Sequence, residues 1–198
     1  MEHTLPGILN TNVKIEKFNV KTGELVDVYH QHNRLVIRYH LIMTHLLSPV
    51  GNVLLQSEMN ESDFAKYGIP TDSDLKITKM RFGTDGTPTA VTMDNILSPV
   101  LPKFNADGIA ITDDYYPIDG YKFINGIDVN DVKDYDQAIS FETTIAGPQG
   151  NSETVQPVVY KEAGLFTTNN IMMARTNLPS LVKDENFAFK MSWTIRFP

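Results

Sequence analysis

The apolar and polar positions alternate most regularly at the end of the chain. From Phe187 to Phe197 every second residue is apolar (Phe187, Phe189, Met191, Trp193, Ile195 and Phe197), with Ala188, Lys190, Ser192, Thr194 and Arg196 between them. Successive side chains of a strand point to opposite faces, so this spacing predicts a strand with one buried face; a helix would scatter the same residues around its circumference. Gln137 to Ile145 alternates in the same way, with Ile139, Phe141 and Ile145 against Ser140, Glu142 and Thr144. Pro157 to Phe166 is extended and apolar, and its Gly164 predicts a bulge or a close backbone approach. Thr168-Asn169-Asn170 supplies a turn into Ile171 to Thr176, which the reading ends at Pro179 because proline cannot donate to a sheet ladder. Four strands joined by short turns predict an antiparallel sandwich or barrel.

The N-terminal part opens on a hairpin. Val13 to Val20 and Leu25 to His30 flank Lys21-Thr22-Gly23-Glu24, whose glycine is available for positive φ. The period then changes. Leu35, Tyr39, Ile42, Met43, Leu46 and Leu47 recur at helical spacing, predicting an amphipathic helix over about 34–47 that stops at Ser48-Pro49. Leu75 to Phe82 returns to strand character. Gly51 to Ser73 is polar, and Asn105 to Asp136, rich in Asp, Gly and Tyr, reads as a long irregular excursion. Met1 to Asn12 has no periodicity and reads as an extended arm whose candidate contacts are Leu5, Pro6 and Ile8. The expected fold is mainly β: an antiparallel β-sandwich or jelly-roll-like domain over 13–198, carrying one helix and an insertion at 105–136. Its expected core includes Ile15, Leu35, Leu46, Ile77, Phe82, Ile139, Phe141, Leu165, Phe189, Trp193 and Ile195.

Composition narrows the function more than the fold. Hydrophobic residues make up 41% of the 198 and charged residues 21%, enough for a core and too ordinary for global disorder. The net charge of −7 repels phosphate backbones, and Lys and Arg are scattered singly, so nucleic acid is not an expected partner. Without cysteine there is no disulfide, thiolate metal site or cysteine nucleophile. Neither a secretory signal nor an apolar run long enough to cross a bilayer is visible, so no membrane partner is expected.

Candidate chemistry is sparse. His30 and His32 share a face if they lie on a strand and would both reach one ion, but no third ligand is nominated; polar residues at a strand end are the commoner explanation. Asp128-Val129-Asn130-Asp131-Val132-Lys133 starts like a calcium loop and then places Val132 and Lys133 where an oxygen ligand and a glycine belong. Asp113, Asp114 and Asp119 form a second acidic group, to be weighed against a solvated loop. Gly83-Thr84-Asp85-Gly86-Thr87 is followed by no Gly-Lys-Ser/Thr and reads as a turn after a strand. There is no nucleophile elbow and no His-Glu-x-x-His, and paired carboxylates for glycoside cleavage leave no sequence signature. No cofactor or enzyme activity is expected. Tyr115, Tyr116 and Tyr121 in the acidic excursion are contact candidates, with burial under the loop as the competing expectation.

Three groups of residues, in this order, resemble a family of small tailed-bacteriophage virion proteins of the tail, tail-fibre-associated or minor structural type. They are Asn33-Arg34-Leu35-Val36 leading into the helix, the strand to Phe82 feeding Gly83-Thr84-Asp85-Gly86-Thr87-Pro88, and Glu162-Ala163-Gly164-Leu165-Phe166 followed by Met173-Ala174-Arg175-Thr176, Lys183 and the closing Trp193 strand. The resemblance covers under half of the chain. Asp85 stands where the pattern usually has glycine, and 105–136 has no counterpart. It implies a non-enzymatic structural part of a virion (tail, baseplate, neck or head decoration), assembled in the host bacterial cytoplasm. Its partners would be other virion proteins and further copies of itself. The alternative is a receptor- or carbohydrate-binding module of a phage tail, with a host surface glycan as its ligand.

Overall fold

The alternating C-terminal segment is a strand at the centre of a sheet. The computed structural model describes residues 11–32, 34–35, 76–88, 95–125, 137–151 and 157–197. In chain order the strands are β1 (Thr11–Asn19), β2 (Leu25–His32), β3 (Arg34–Leu35), β4 (Ile77–Gly83), β5 (Pro99–Val100), β6 (Tyr116–Pro117), β7 (Gly120–Asn125), β8 (Gln137–Ile145), β9 (Val158–Thr167), β10 (Met172–Lys183) and β11 (Phe187–Phe197). All pairings are antiparallel. One sheet has the order β2-β1-β11-β8-β7. The other has the order β3-β10-β9-β4-β5, with β6 also paired to β4. Among the described residues there is no helix.

The two sheets face each other as a β-sandwich. Val13 and Ile15 from β1, Phe141 and Ile145 from β8, and Phe189, Met191, Trp193 and Ile195 from β11 meet Met80, Phe82, Tyr160, Leu165 and Met173 of the opposite sheet in one buried cluster. Phe82 lies between two rings, stacked on Tyr160 at 5.8 Å and edge-on to Tyr116 at 5.1 Å. Tyr160 in turn reaches Phe189 of the facing sheet at 6.2 Å. Each such side chain contributes about 1.5–3 kcal/mol by leaving water. The outer face of the first sheet is a row of alternating charge, with Lys14 on Glu16 at 2.7 Å and Glu142 between Lys122 and Lys190 at 3.0 and 3.1 Å. These polar outer positions are the second half of the period-two pattern.

The hairpin forms as its turn residues dictate. Gly23 adopts φ +70°, and the Asn19 side chain accepts from the Lys21 and Thr22 amides. β1 begins at Thr11, so Thr11 and Asn12 belong to the sheet and not to the arm. Leu5, Pro6, Ile8 and Asp128 lie outside the described residues, as do 36–47, the bulk of the expected helix. Arg34 and Leu35, assigned to that helix, instead pair with Arg175 and Ala174 as β3. The free edge of β10 satisfies backbone groups that the first turn of a helix would leave open. Ile77 and Ile139 are partly buried against the core, and the other described core candidates with described side chains are buried.

Two further expectations change. β10 does not stop before Pro179; it runs to Lys183. The register with β9 slips between Asn177 and Leu181, with Ser180 at φ +50°. A bulge leaves its extra residues out of the ladder, so the missing proline amide costs no hydrogen bond there. The excursion at 105–136 is also not irregular throughout, because Gly120–Asn125 pairs with β8 as an edge strand and Tyr116–Pro117 with β4. The crossing from β6 to β7 passes from one sheet to the other, where Thr143 Oγ1 donates to Pro117 O at 3.0 Å.

Candidate functional site

The turn motif and the two strand motifs meet at one buried junction. β9 is apolar or aromatic except for Lys161, Glu162 and the terminal Thr167, and from Glu162 to Thr167 every residue is buried, so the sheet is covered on both faces here. Glu162 and Arg175 are both fully excluded from solvent. Arg175 donates to Glu162 Oε2 from Nη2 at 2.8 Å and from Nε at 3.1 Å, a two-point contact that suits the planar guanidinium. The Leu97 amide reaches the same oxygen at 3.2 Å, while Oε1 accepts from the Ser98 amide at 3.0 Å and the Asp85 amide at 3.4 Å. Arg175 Nη1 and Asn177 Nδ2 both donate to Thr87 O, at 3.1 and 2.8 Å.

This network holds the glycine-rich turn from beneath. Thr84 N donates to Ser98 O and Thr87 N to Asp85 Oδ1, at 2.9 and 2.7 Å. The hydrogen bond from Thr87 holds the Asp85 carboxyl below its ordinary range. With the amides of Thr84, Asp85 and Thr87 so engaged, the loop is a stapled turn and not a phosphate cradle. A Cβ on Gly83 would overlap Glu162 Oε1, Ile96 Cγ2 and Ser98 O, which is why the strand ends in glycine. A carboxylate that accepts five hydrogen bonds has its lone pairs occupied and ties the turn, the 97–98 backbone and β10 together.

Three other buried polar groups act in the same way. Lys183, fully buried at the end of β10, donates to Gly147 O and Asp184 O at 2.8 Å and to Asn151 Oδ1 at 3.2 Å. Burial pushes its amine down to about 8, against the upward pull of Asp184 and Glu185. Tyr160 donates to Gly150 O at 2.8 Å and Tyr116 to Val100 O at 3.3 Å, and burial raises both phenols above their ordinary range. Gly150, at φ +64°, stands where a side chain would overlap both hydroxyls.

The residues singled out from the sequence are dispersed. His30 is exposed on β2 opposite Lys14, and His32 falls opposite Asn12 in the same ladder. Asp113 and Asp114 are exposed, and Asp114 lies 3.7 Å from Arg81. Asp119 Oδ2 accepts from the Thr144 amide at 2.6 Å, so it caps strand backbone. Among the described residues no three His, Cys, Asp or Glu side chains gather as for a metal ion. Of the contact tyrosines, Tyr121 is 64% exposed, whereas Tyr116 is fully buried and belongs to the core. Its ring fills the space beside Phe82, which removes it from any contact surface. Tyr115 is half-buried, edge-on to Phe166 at 5.2 Å with Lys79 and Arg81 over its ring. Pattern reading passed over Glu162, Arg175 and Lys183 as chemistry, although an ionisable residue inside an otherwise apolar strand was the available signal.

No family model, curated protein or solved structure matches this chain.

Proposed function

We propose that the chain is a non-enzymatic structural component of a bacteriophage virion, working through protein–protein contacts in the tail, baseplate, neck or head decoration. The supporting observation is the convergence of the turn and strand motifs that carry the phage resemblance on the Glu162–Arg175 junction. What these motifs have in common is the construction of a buried junction inside the second sheet, with Glu162 and Arg175 spent on internal bonds. A part that must tile a particle needs such rigidity and few reactive groups. The glycan-binding alternative loses Tyr116 from its surface and keeps Tyr121 on the edge strand β7.

Labelling of purified particles with an antibody raised against this chain tests the reading. Stoichiometric labelling at one place on the particle is expected. Particles without the chain, or a purified protein that cleaves host polysaccharide, would overturn it.

A further inference from the structure

A groove of about 600 Å³ opens at one end of the sandwich, walled by Pro99, Leu101, Lys103, Pro157, Val159 and Lys161. Its walls are mainly apolar, and among the described residues that line it the charged ones are two lysines. Leu101 on its wall is 39% exposed, and Phe104 and Ile109, a few residues further along the chain, are 37% and 63% exposed. Isolated exposed apolar residues are ordinary, but a cluster continuous with a groove marks a contact site.

The groove lies away from the start of β1. Asn151, on its wall, donates to Gly147 O at 2.7 Å, and a Cβ on Gly147 would touch Val20 and Glu185. The groove therefore lies at the end of the sandwich where β1 finishes. Thr11, where β1 begins, is at the other end, opposite Ile195. The nine residues of β1 span eight steps between the two ends, about 26 Å at 3.3 Å per residue. The segment before Thr11 carries Leu5, Pro6, Ile8 and Leu9, and its single acid, Glu2, stands beside His3 and the terminal amine. Even fully extended, Leu5 is within about 20 Å of Thr11 and Ile8 within about 10 Å, so neither reaches the groove of its own chain. In polarity the segment, with Leu5, Pro6, Ile8 and Leu9, suits an apolar groove.

We propose that this groove receives the N-terminal segment, residues 1–10, of a second copy of the chain. A donor segment at one end and an acceptor groove at the other make a head-to-tail contact, which closes into a ring or continues as a filament. The inference rests on the assembly reading only in that copies meet, and it requires nothing of the virion.

Light scattering over a range of concentrations, with a labelled peptide of residues 1–12, provides the test. The full chain is expected to gain mass with concentration, and a variant lacking residues 1–10 to stay monomeric with an unchanged melt. The peptide should bind the truncated chain, and Val159→Asp and Lys161→Glu should each weaken it at least about tenfold. Val28→Asp, on the outer face of the other sheet, should leave binding unaltered. Association that survives truncation, or peptide binding indifferent to both groove substitutions, would overturn the proposal. So would a full chain that is monomeric throughout, and if that same chain were found in particles the virion reading would still stand.

Discussion

Glu162 and Arg175 form a buried ion pair without being opposite one another: in the ladder between β9 and β10 Glu162 faces Asn177, and Arg175 faces Gly164. The carboxylate reaches the guanidinium along the diagonal of the sheet. Gly164, between them on that face, adds no side chain, and the Phe166 ring and Ile96 Cδ1 lie within 3.1 Å of where its Cβ would stand. The glycine expected to mark a close approach does so, and the approach allows the diagonal pair and the covering loop to coexist.

Removing one partner strands the other. Arg175→Met leaves the Glu162 carboxylate buried without its countercharge and should cost about 3–5 kcal/mol. Glu162→Leu should cost at least as much, because the Leu97, Ser98 and Asp85 amides lose their acceptor. Urea unfolding of both single variants and the double variant should give a coupling energy of about 0.5–3 kcal/mol; additive losses would show that the pair does not act as one unit.

Trp193 is fully buried in the middle of β11, paired with Val13 on one side and Phe141 on the other. Trp193→Ala should lower stability by about 3–5 kcal/mol through lost burial and the cavity left behind. A thermal melt within a degree or two of the parent would contradict the inward face assigned to this strand.

Gly83→Ala tests the junction from the other side. The added methyl overlaps Glu162 Oε1 and the Ser98 carbonyl, so either the staple or the loop must shift, at about 1–3 kcal/mol. Gly86→Ala, where a Cβ finds Lys161 Cδ at an ordinary 3.4 Å, should be far milder. Equal melts for the two variants would argue against a rigid junction.

Lys183 gives the fold a pH dependence of known sign. Its amine titrates near 8 in the folded chain and near 10.5 when exposed, so between these values the unfolded state binds more protons and stability rises with pH. The contribution is complete above 10.5 and is lost as pH falls through 8. The stability of the parent chain relative to Lys183→Met should rise by about 2–3 kcal/mol from about pH 7 to about pH 10. A flat difference would mean that the buried amine is not destabilised by its surroundings.

The amino-acid sequence by itself determined the strands that have one wet and one dry face. β11, β8 and the β1–β2 hairpin follow from period-two alternation and from a glycine placed for its turn, both properties of neighbouring residues. β9 and the first half of β10 were legible only as apolar runs, because burial on both faces erases alternation. The bulge that carries β10 past Pro179, the capture of Arg34 and Leu35 by its edge, and the recruitment of Gly120–Asn125 to β8 were decided by the backbone needs of partners distant in sequence. The junction belongs to the same class. Glu162, Arg175 and the turn at 83–88 are separated by up to about ninety residues, and no local pattern says which carboxylate will meet which guanidinium. Charge, spacing and propensity act along the chain, whereas the pairing of buried polar groups is settled only once the sheets have closed and water has left.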